Sequence, residues 1–304
     1  MFVLCCLLNS AQAEEFKLFE YIQSSGSKMV CYSASGLDPR SPANALNLKT
    51  SSLEADLKLL RPAFDGLILY GYDSSSTPRI LYLAKQLGYK AVILGIWNIK
   101  ETAEIDGVAK LADQYAERMA IGIMVGNEGL TFGRYEPEDL HFAVDRLKSQ
   151  LKSNIPLSTS EPLVGYQHEF LLQFGDFLAP NIHPVFDRPD FEAKEAAHWA
   201  RNEAMKLAKK STLPLLLKET GFPHGGKPQF TSDTQAAFWK SYLAEGKIIT
   251  DPTDNNWVYY GVAFEAYDLT WKAAASGMPI ESEWGMLSPM RKPYPVFEIW
   301  RDLK

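Results

Sequence analysis

Cysteine is nearly missing from this chain. Its three copies are Cys5, Cys6 and Cys31. The first two fall in an N-terminal stretch that reads as a removable leader, so no intrachain disulfide is expected in the mature protein. Cys31 lies within an apolar run and reads as a small core residue. Beyond the N-terminal stretch there is no run of about 20 apolar residues, which excludes a membrane-spanning helix on sequence grounds. Blocks of like charge are also missing. With 31 basic against 37 acidic residues, a net charge of −6, the composition argues against nucleic acid or another polyanion as partner. No internal repeat, low-complexity tract or Pro/Gly/Ser-rich linker marks a second domain. The five histidines, His141, His168, His183, His198 and His224, show no metal-ligand spacing, and neither a metal nor an organic cofactor is expected.

What the chain does have begins with residues 1–13, MFVLCCLLNSAQA. An apolar stretch there runs into Ala11-Gln12-Ala13, the small-x-small pattern of a signal-peptidase site. This predicts a secreted or periplasmic protein whose working part is residues 14–304. Eight short apolar runs follow, at 29–32, 66–70, 90–95, 119–125, 155–159, 177–183, 213–218 and 257–264. They are nearly continuous rather than alternating, as in parallel strands covered on both faces. Helix-like segments lie between them, at 53–60, 78–87, 137–151, 193–209 and 234–243. Ser51 with Glu54 reads as a capping box for the first of these, and Pro78 as a first helical residue of the second. Eight such units predict an α/β fold, a single (β/α)8 TIM barrel.

Two of the runs are followed closely by a Glu. Val125-Gly126-Asn127-Glu128 closes the fourth, and Leu217-Lys218-Glu219-Thr220-Gly221 closes the seventh. A carboxylate at the mouth of a strand is poorly placed for packing and well placed to meet a ligand. In a barrel, strands four and seven face each other across the mouth, so two such carboxylates are brought together. That is the minimum equipment for cleaving a glycosidic bond. Glu128 would be the proton donor, with the neutral amide of Asn127 beside it for a sugar hydroxyl. Glu219 would be the nucleophile or base. His183, at the end of the sixth run, would bond and orient Glu219, with Tyr32 at the end of the first run in a related role. Glu265 and Lys272, after the eighth run, offer a charge pair beside Glu219. The chain is rich in aromatics, with 7 Trp, 14 Tyr and 16 Phe, and those at strand ends can stack on the apolar faces of sugars. Tyr70, Trp97, Phe222 and Trp284 are placed there and complete the candidate substrate-binding set. His224-Gly225-Gly226-Lys227 lacks the spacing of a phosphate-binding loop and reads as a plain turn.

These motifs resemble those of glycoside hydrolase family 17, the β-1,3-glucanases and β-1,3-glucan transglycosylases, over most of the mature chain. Val125-Gly126-Asn127-Glu128 is similar to the acid/base motif, and Glu219-Thr220-Gly221-Phe222-Pro223 to the nucleophile motif, with Phe in a place where Trp is usual. Asn181-Ile182-His183-Pro184 resembles the strand-six motif in its microbial form. Phe264-Glu265-Ala266-Tyr267-Asp268 with Trp271-Lys272 is similar to the strand-eight segment. Glu281-Ser282-Glu283-Trp284-Gly285 resembles an altered form of the stretch that follows. Ala34-Ser35-Gly36-Leu37 departs from the usual continuation after Tyr32-Ser33. The resemblance implies a retaining β-1,3-glucanase working through a glucosyl-enzyme, or a glucanosyltransferase with the same site. It implies a β-glucan oligo- or polysaccharide as partner, with Tyr32, Asn127 and His183 supporting the sugar and the nucleophile and Glu265 and Lys272 lying behind them. A monomer is expected.

Two other classes compete. A non-catalytic glucan-binding barrel would keep the aromatics but would not need both Glu128 and Glu219. A Schiff-base lyase would need Lys218. If Glu219 faces inward, however, strand alternation turns Lys218 outward.

Overall fold

The computed structural model describes residues 16–41, 43–250 and 256–304, so the predicted leader lies outside the described residues. Five parallel strands follow in sequence order, β1 (Met29–Cys31), β2 (Gly66–Ile68), β3 (Ala91–Ile96), β4 (Ala120–Asn127) and β5 (Leu157–Ser160). Every residue of these five is buried. This is why they read as unbroken apolar runs: helices cover one face and the barrel interior the other.

The rest of the barrel is less regular. The sixth run contains Pro180, which has no N–H for a ladder. It joins its neighbours only through single bridges, Asn181 to Pro162 and Glu219 and Leu178 to Leu215. The seventh run is regular only at β6 (Leu215–Leu216), and β7 (Ile248–Thr250) is an added strand lying antiparallel to the start of the eighth run. The eighth run divides into β8 (Trp257–Tyr259), which pairs with β6, and β9 (Val262–Ala263), which pairs with β1. That division closes the circle, one half meeting the seventh position and the other the first. The result is a (β/α)8 barrel.

The expected helices are present at Thr50–Leu60, Thr77–Gln86, Pro137–Gln150, Ala193–Ala208 and Ser232–Leu243. The Ser51–Glu54 capping box is not. Its helix starts at Thr50, with Lys49 in the cap position and no side-chain cap bond, so Ser51 already lies inside. A reciprocal cap does form between Thr231 and Thr234. Helices at Lys17–Gln23, Thr102–Tyr115, Thr270–Ser276 and Pro295–Asp302 add to the expected set. The first carries Leu18, Tyr21 and Ile22 into the core, with the Tyr21 hydroxyl on Asp65 just before β2. No described helix is long and apolar enough to cross a membrane.

Candidate active site

The mouth of the barrel opens into a cleft of about 970 Å³ that holds both Glu128 and Glu219. Each reaches it through a local break in strand geometry. In β4 the register with β5 shifts between Met124 and Asn127. Gly126 takes φ = 77° at this shift, and an added Cβ there would lie 2.1 Å from the Tyr135 hydroxyl, so only glycine fits. Glu128 follows with φ = 57°, a left-handed backbone uncommon outside glycine. Its N–H donates to Ser160 O at 2.7 Å. On the opposite side, the N–H groups of Lys218 and Glu219 both point at Pro180 O, at 3.0 and 3.4 Å. Two residues facing one carbonyl is the pattern of a β-bulge, which re-aims side chains.

That bulge corrects the orientation expected for Lys218. Its side chain turns into the barrel, 1% exposed, and its ammonium donates to Asn127 Oδ1 at 2.7 Å and to Glu219 Oε1. It also lies 4.7 Å from the centre of the Tyr70 ring. Strand alternation fails here because the regular strand ends at Leu216.

A continuous chain of contacts links the two acids. Asn181 Nδ2 donates to Glu128 Oε1 at 2.8 Å and to Asn127 Oδ1 at 3.2 Å. Asn127 accepts from Lys218, and Lys218 holds Glu219. The second Glu219 oxygen faces His183 Nε2 at 3.3 Å. These surroundings drive the two carboxyls apart. Burial, then the charge of Glu219, raises Glu128 above the ordinary carboxylate range, with the Asn181 bond opposing. Burial pushes Glu219 the same way, but the Lys218 charge and the His183 hydrogen bond outweigh it and hold Glu219 far below its usual value. The two shifts are opposite in direction, so Glu128 is the more basic of the pair and Glu219 the more readily ionised.

The remaining candidates differ in how they stand to this pair, and Phe222 is not part of the cleft. The His183 ring packs against Phe264 and Trp284 at 5.0 and 5.2 Å. Trp284 is 1% exposed yet borders the cleft. Behind them, Lys272 donates to both oxygens of the buried Glu265 at 2.7 Å. Burial alone would lower the Lys272 ammonium, but the Glu265 charge raises it. Tyr32 borders the cleft while its hydroxyl donates to Asp56 at 3.1 Å, away from Glu219. Trp97 is 46% exposed on the rim, with the Arg134 guanidinium 4.2 Å from its ring centre. Phe222 packs against Phe230 and Phe238 in the core and does not border the cleft.

Asn181 and Lys218, which bond to the two acids, and Arg134, which bonds to Asn127 O and lies over Trp97, were not among the residues expected at the site. Asn181 and Lys218 stood within the quoted motifs. Arg134 carried no signal. Glu161 is a further one. It is fully buried and accepts from Leu130 N and Thr131 N at 2.9 and 3.1 Å, holding the turn that follows Glu128.

His224 also gains partners that no spacing announced. Its Nε2 meets Asp268 at 3.0 Å and its Nδ1 meets Glu283 at 3.4 Å, while its ring lies 4.1 Å from Tyr294. Carboxylates at both ring nitrogens favour the doubly protonated imidazolium. Burial lowers the pKa of this His, but Asp268 and Glu283 raise it above its ordinary value. A raised folded-state value means that the cluster stabilises the fold fully below the unfolded value of about 6.5, and that this contribution is lost as pH rises through the folded value. Melting temperature should therefore fall on going from about pH 6 to about pH 9, and His224→Gln should flatten that fall. An unchanged slope in the variant would remove His224 as its cause.

A parallel barrel with two carboxyls of opposite pKa shift in the cleft at its C-terminal mouth is the equipment of a glycoside hydrolase. The chain belongs to the BtgE/BtgC glycoside hydrolase domain family, which it matches over residues 30–285. Its fold is similar to that of the glycoside hydrolase family 17 β-1,3-glucanosyltransferase from Rhizomucor miehei, with a TM-score of 0.70 and 19% identity, covering 90% of this chain and 97% of that one. It is similar also to an endo-laminarinase from Formosa Hel1_33_131, with a TM-score of 0.71 and 18% identity, covering 90% of this chain and 86% of that one. At such identities the likeness concerns the fold. A curated relative, the 3-deoxy-manno-octulosonate cytidylyltransferase of Leptospira interrogans serogroup Icterohaemorrhagiae serovar Lai (strain 56601), is 26% identical over 137 residues. That stretch covers 41% of this chain, and the chain spans 56% of that relative's length.

Proposed function

We propose that this protein is a retaining glycoside hydrolase acting on β-1,3-glucan. The observation that carries this reading is the placing of Glu128 and Glu219 in one cleft, linked through Asn181, Asn127 and Lys218, with surroundings that raise the pKa of the first and lower that of the second. In the first step a Glu219 oxygen bonds to the anomeric carbon, the glycosidic C–O bond breaks, and the Glu128 proton passes to the departing oxygen. In the second, Glu128 takes a proton from water. The water oxygen bonds to the anomeric carbon, and the ester bond breaks with its electron pair returning to Glu219. The enclosure of Glu219, whose side chain is 6% exposed with both oxygens engaged, supports a nucleophile. A base that activates water would need room for that water. A glucan-binding barrel without catalysis would not need the pair.

Transfer to a second sugar is the alternative outcome of the same intermediate. The exposed Phe132, Val164 and Phe186 on the cleft wall offer apolar faces for an acceptor and favour considering it. Product analysis on a β-1,3-linked oligosaccharide series tests both outcomes. Shorter products of retained configuration are expected. Products longer than the substrate would assign transfer, and no change in any member would overturn the reading. A net charge of −6 and an aromatic cleft suit a neutral glucan. Binding should thus change little between about 50 and 200 mM salt, a range over which phosphate-driven binding weakens by orders of magnitude. A steep salt dependence would exclude a neutral polymer.

A further inference from the structure

We propose that Lys218 sets the lifetime of the glucosyl-enzyme, speeding its breakdown at the expense of its formation. This rests on the retaining reading above. The ammonium is 1% exposed and so meets no sugar; whatever it does passes through Glu219 and Asn127. Among the described residues it is the lysine bonded directly to the Glu219 carboxylate, whose other oxygen faces His183, while Lys272 is taken up by both oxygens of Glu265.

The reaction changes what that cation faces. In the free enzyme Lys218 lies against a full carboxylate charge. Once a Glu219 oxygen is esterified to the anomeric carbon, that charge is gone. Lys218 is left buried with Asn127 Oδ1 and an ester. A buried cation that has lost its counter-charge is costly, so every state in which negative charge returns to Glu219 is favoured relative to the ester. In the second step, as the anomeric carbon bonds to water oxygen and the ester C–O bond breaks, the electron pair moves onto Glu219 beside Lys218. The leaving group is thereby improved. For the same reason, the ionised nucleophile is held back in the first step, because a carboxylate of depressed basicity is a weaker nucleophile. The inward turn of Lys218 comes from the bulge at Pro180 O, so the cation is built in by the backbone.

Other groups face this pair from each surrounding element. Glu128 lies at the end of β4 and His183 on the sixth run. Cys31 approaches from β1, Tyr70 from the segment after β2, and Glu265 and Lys272 from the eighth position. Removing the Lys218 charge leaves Glu219 among the two other carboxyls, so the acid limb of kcat/KM should move to higher pH. A change that merely loosened packing would not move that limb.

The test uses 2,4-dinitrophenyl 2-deoxy-2-fluoro-β-laminaribioside, whose leaving group permits the first step while fluorine slows the second. The native protein, Lys218→Met and Lys218→Arg are each labelled, the mass increase is located by peptide mapping, and reactivation is timed. We expect label on Glu219 in all three. Reactivation of Lys218→Met should be slower by about tenfold or more, the equivalent of one pKa unit or more on the leaving carboxylate, and Lys218→Arg should be restored toward the native rate. Reactivation of Lys218→Met at the native rate would overturn the proposal. Failure of the native protein to label at Glu219 would instead overturn the retaining reading, and the proposal with it. Should Lys218→Met not fold, Lys218→Gln, which also removes the charge, is labelled and timed in its place, with the same slowing expected and reactivation at the native rate again overturning the proposal.

Discussion

Glu219→Gln should remove turnover, with kcat on β-1,3-glucan oligosaccharides falling on the order of 10⁵-fold or more while the fold stays intact. The amide cannot attack the anomeric carbon. No other ionised carboxyl touches the same position: Glu128 is pushed toward its protonated form, and Glu265 is held by Lys272. The variant also leaves Lys218 buried without its counter-charge, so a modest fall in melting temperature should accompany the loss. The measurement is steady-state turnover together with a thermal melt. A Glu219→Gln protein that retains a hundredth of native activity would move the nucleophile elsewhere.

Glu128→Gln should behave differently, and the difference identifies its role. On natural oligosaccharides, where the departing sugar oxygen needs a proton, kcat/KM should drop by about 10²–10⁴. On a dinitrophenyl glycoside the leaving group departs unaided, so the first step should be largely spared and the second become limiting, since Glu128 also activates the water. An initial burst of dinitrophenol followed by a slow steady state is the expected trace. Equal losses for Glu128→Gln and Glu219→Gln on the activated substrate would overturn the division of roles. The raised pKa of Glu128 adds a sign to its pH profile. The protonated donor is lost as pH rises through that raised value, so native activity on oligosaccharides should decline on the alkaline side, and this limb should vanish in Glu128→Gln.

Much of the barrel was legible because its cause is local. A parallel strand covered on both faces must be apolar along its length, and β3 and β4 are buried at every position. A charged residue after such a run stands out for the same reason, as Glu128 and Glu219 do. His183 and the Glu265–Lys272 pair followed from their strand ends. Phe222 shows the limit of that rule. It too follows a strand end, but it packs against Phe230 and Phe238, because an aromatic at the rim can turn inward as well as toward the cleft. The sixth strand was legible as an apolar run but not as the broken element it is, since Pro180 removes a ladder donor and leaves single bridges.

By itself, then, the sequence determined the alternation of strands and helices, the barrel they build and the strand ends that carry the two acids, because burial and periodicity are properties of neighbouring residues. The direction of Lys218, the placing of Asn181 between Asn127 and Glu128, and the meeting of His224 with Asp268 and Glu283 were decided only in three dimensions. Each depends on a partner far away in the chain. Lys218 turns inward because two of its strand's N–H groups share the carbonyl of Pro180 on an adjacent segment. A bulge of that kind exists only once the two segments lie side by side, and it overrides the alternation that either segment would show alone.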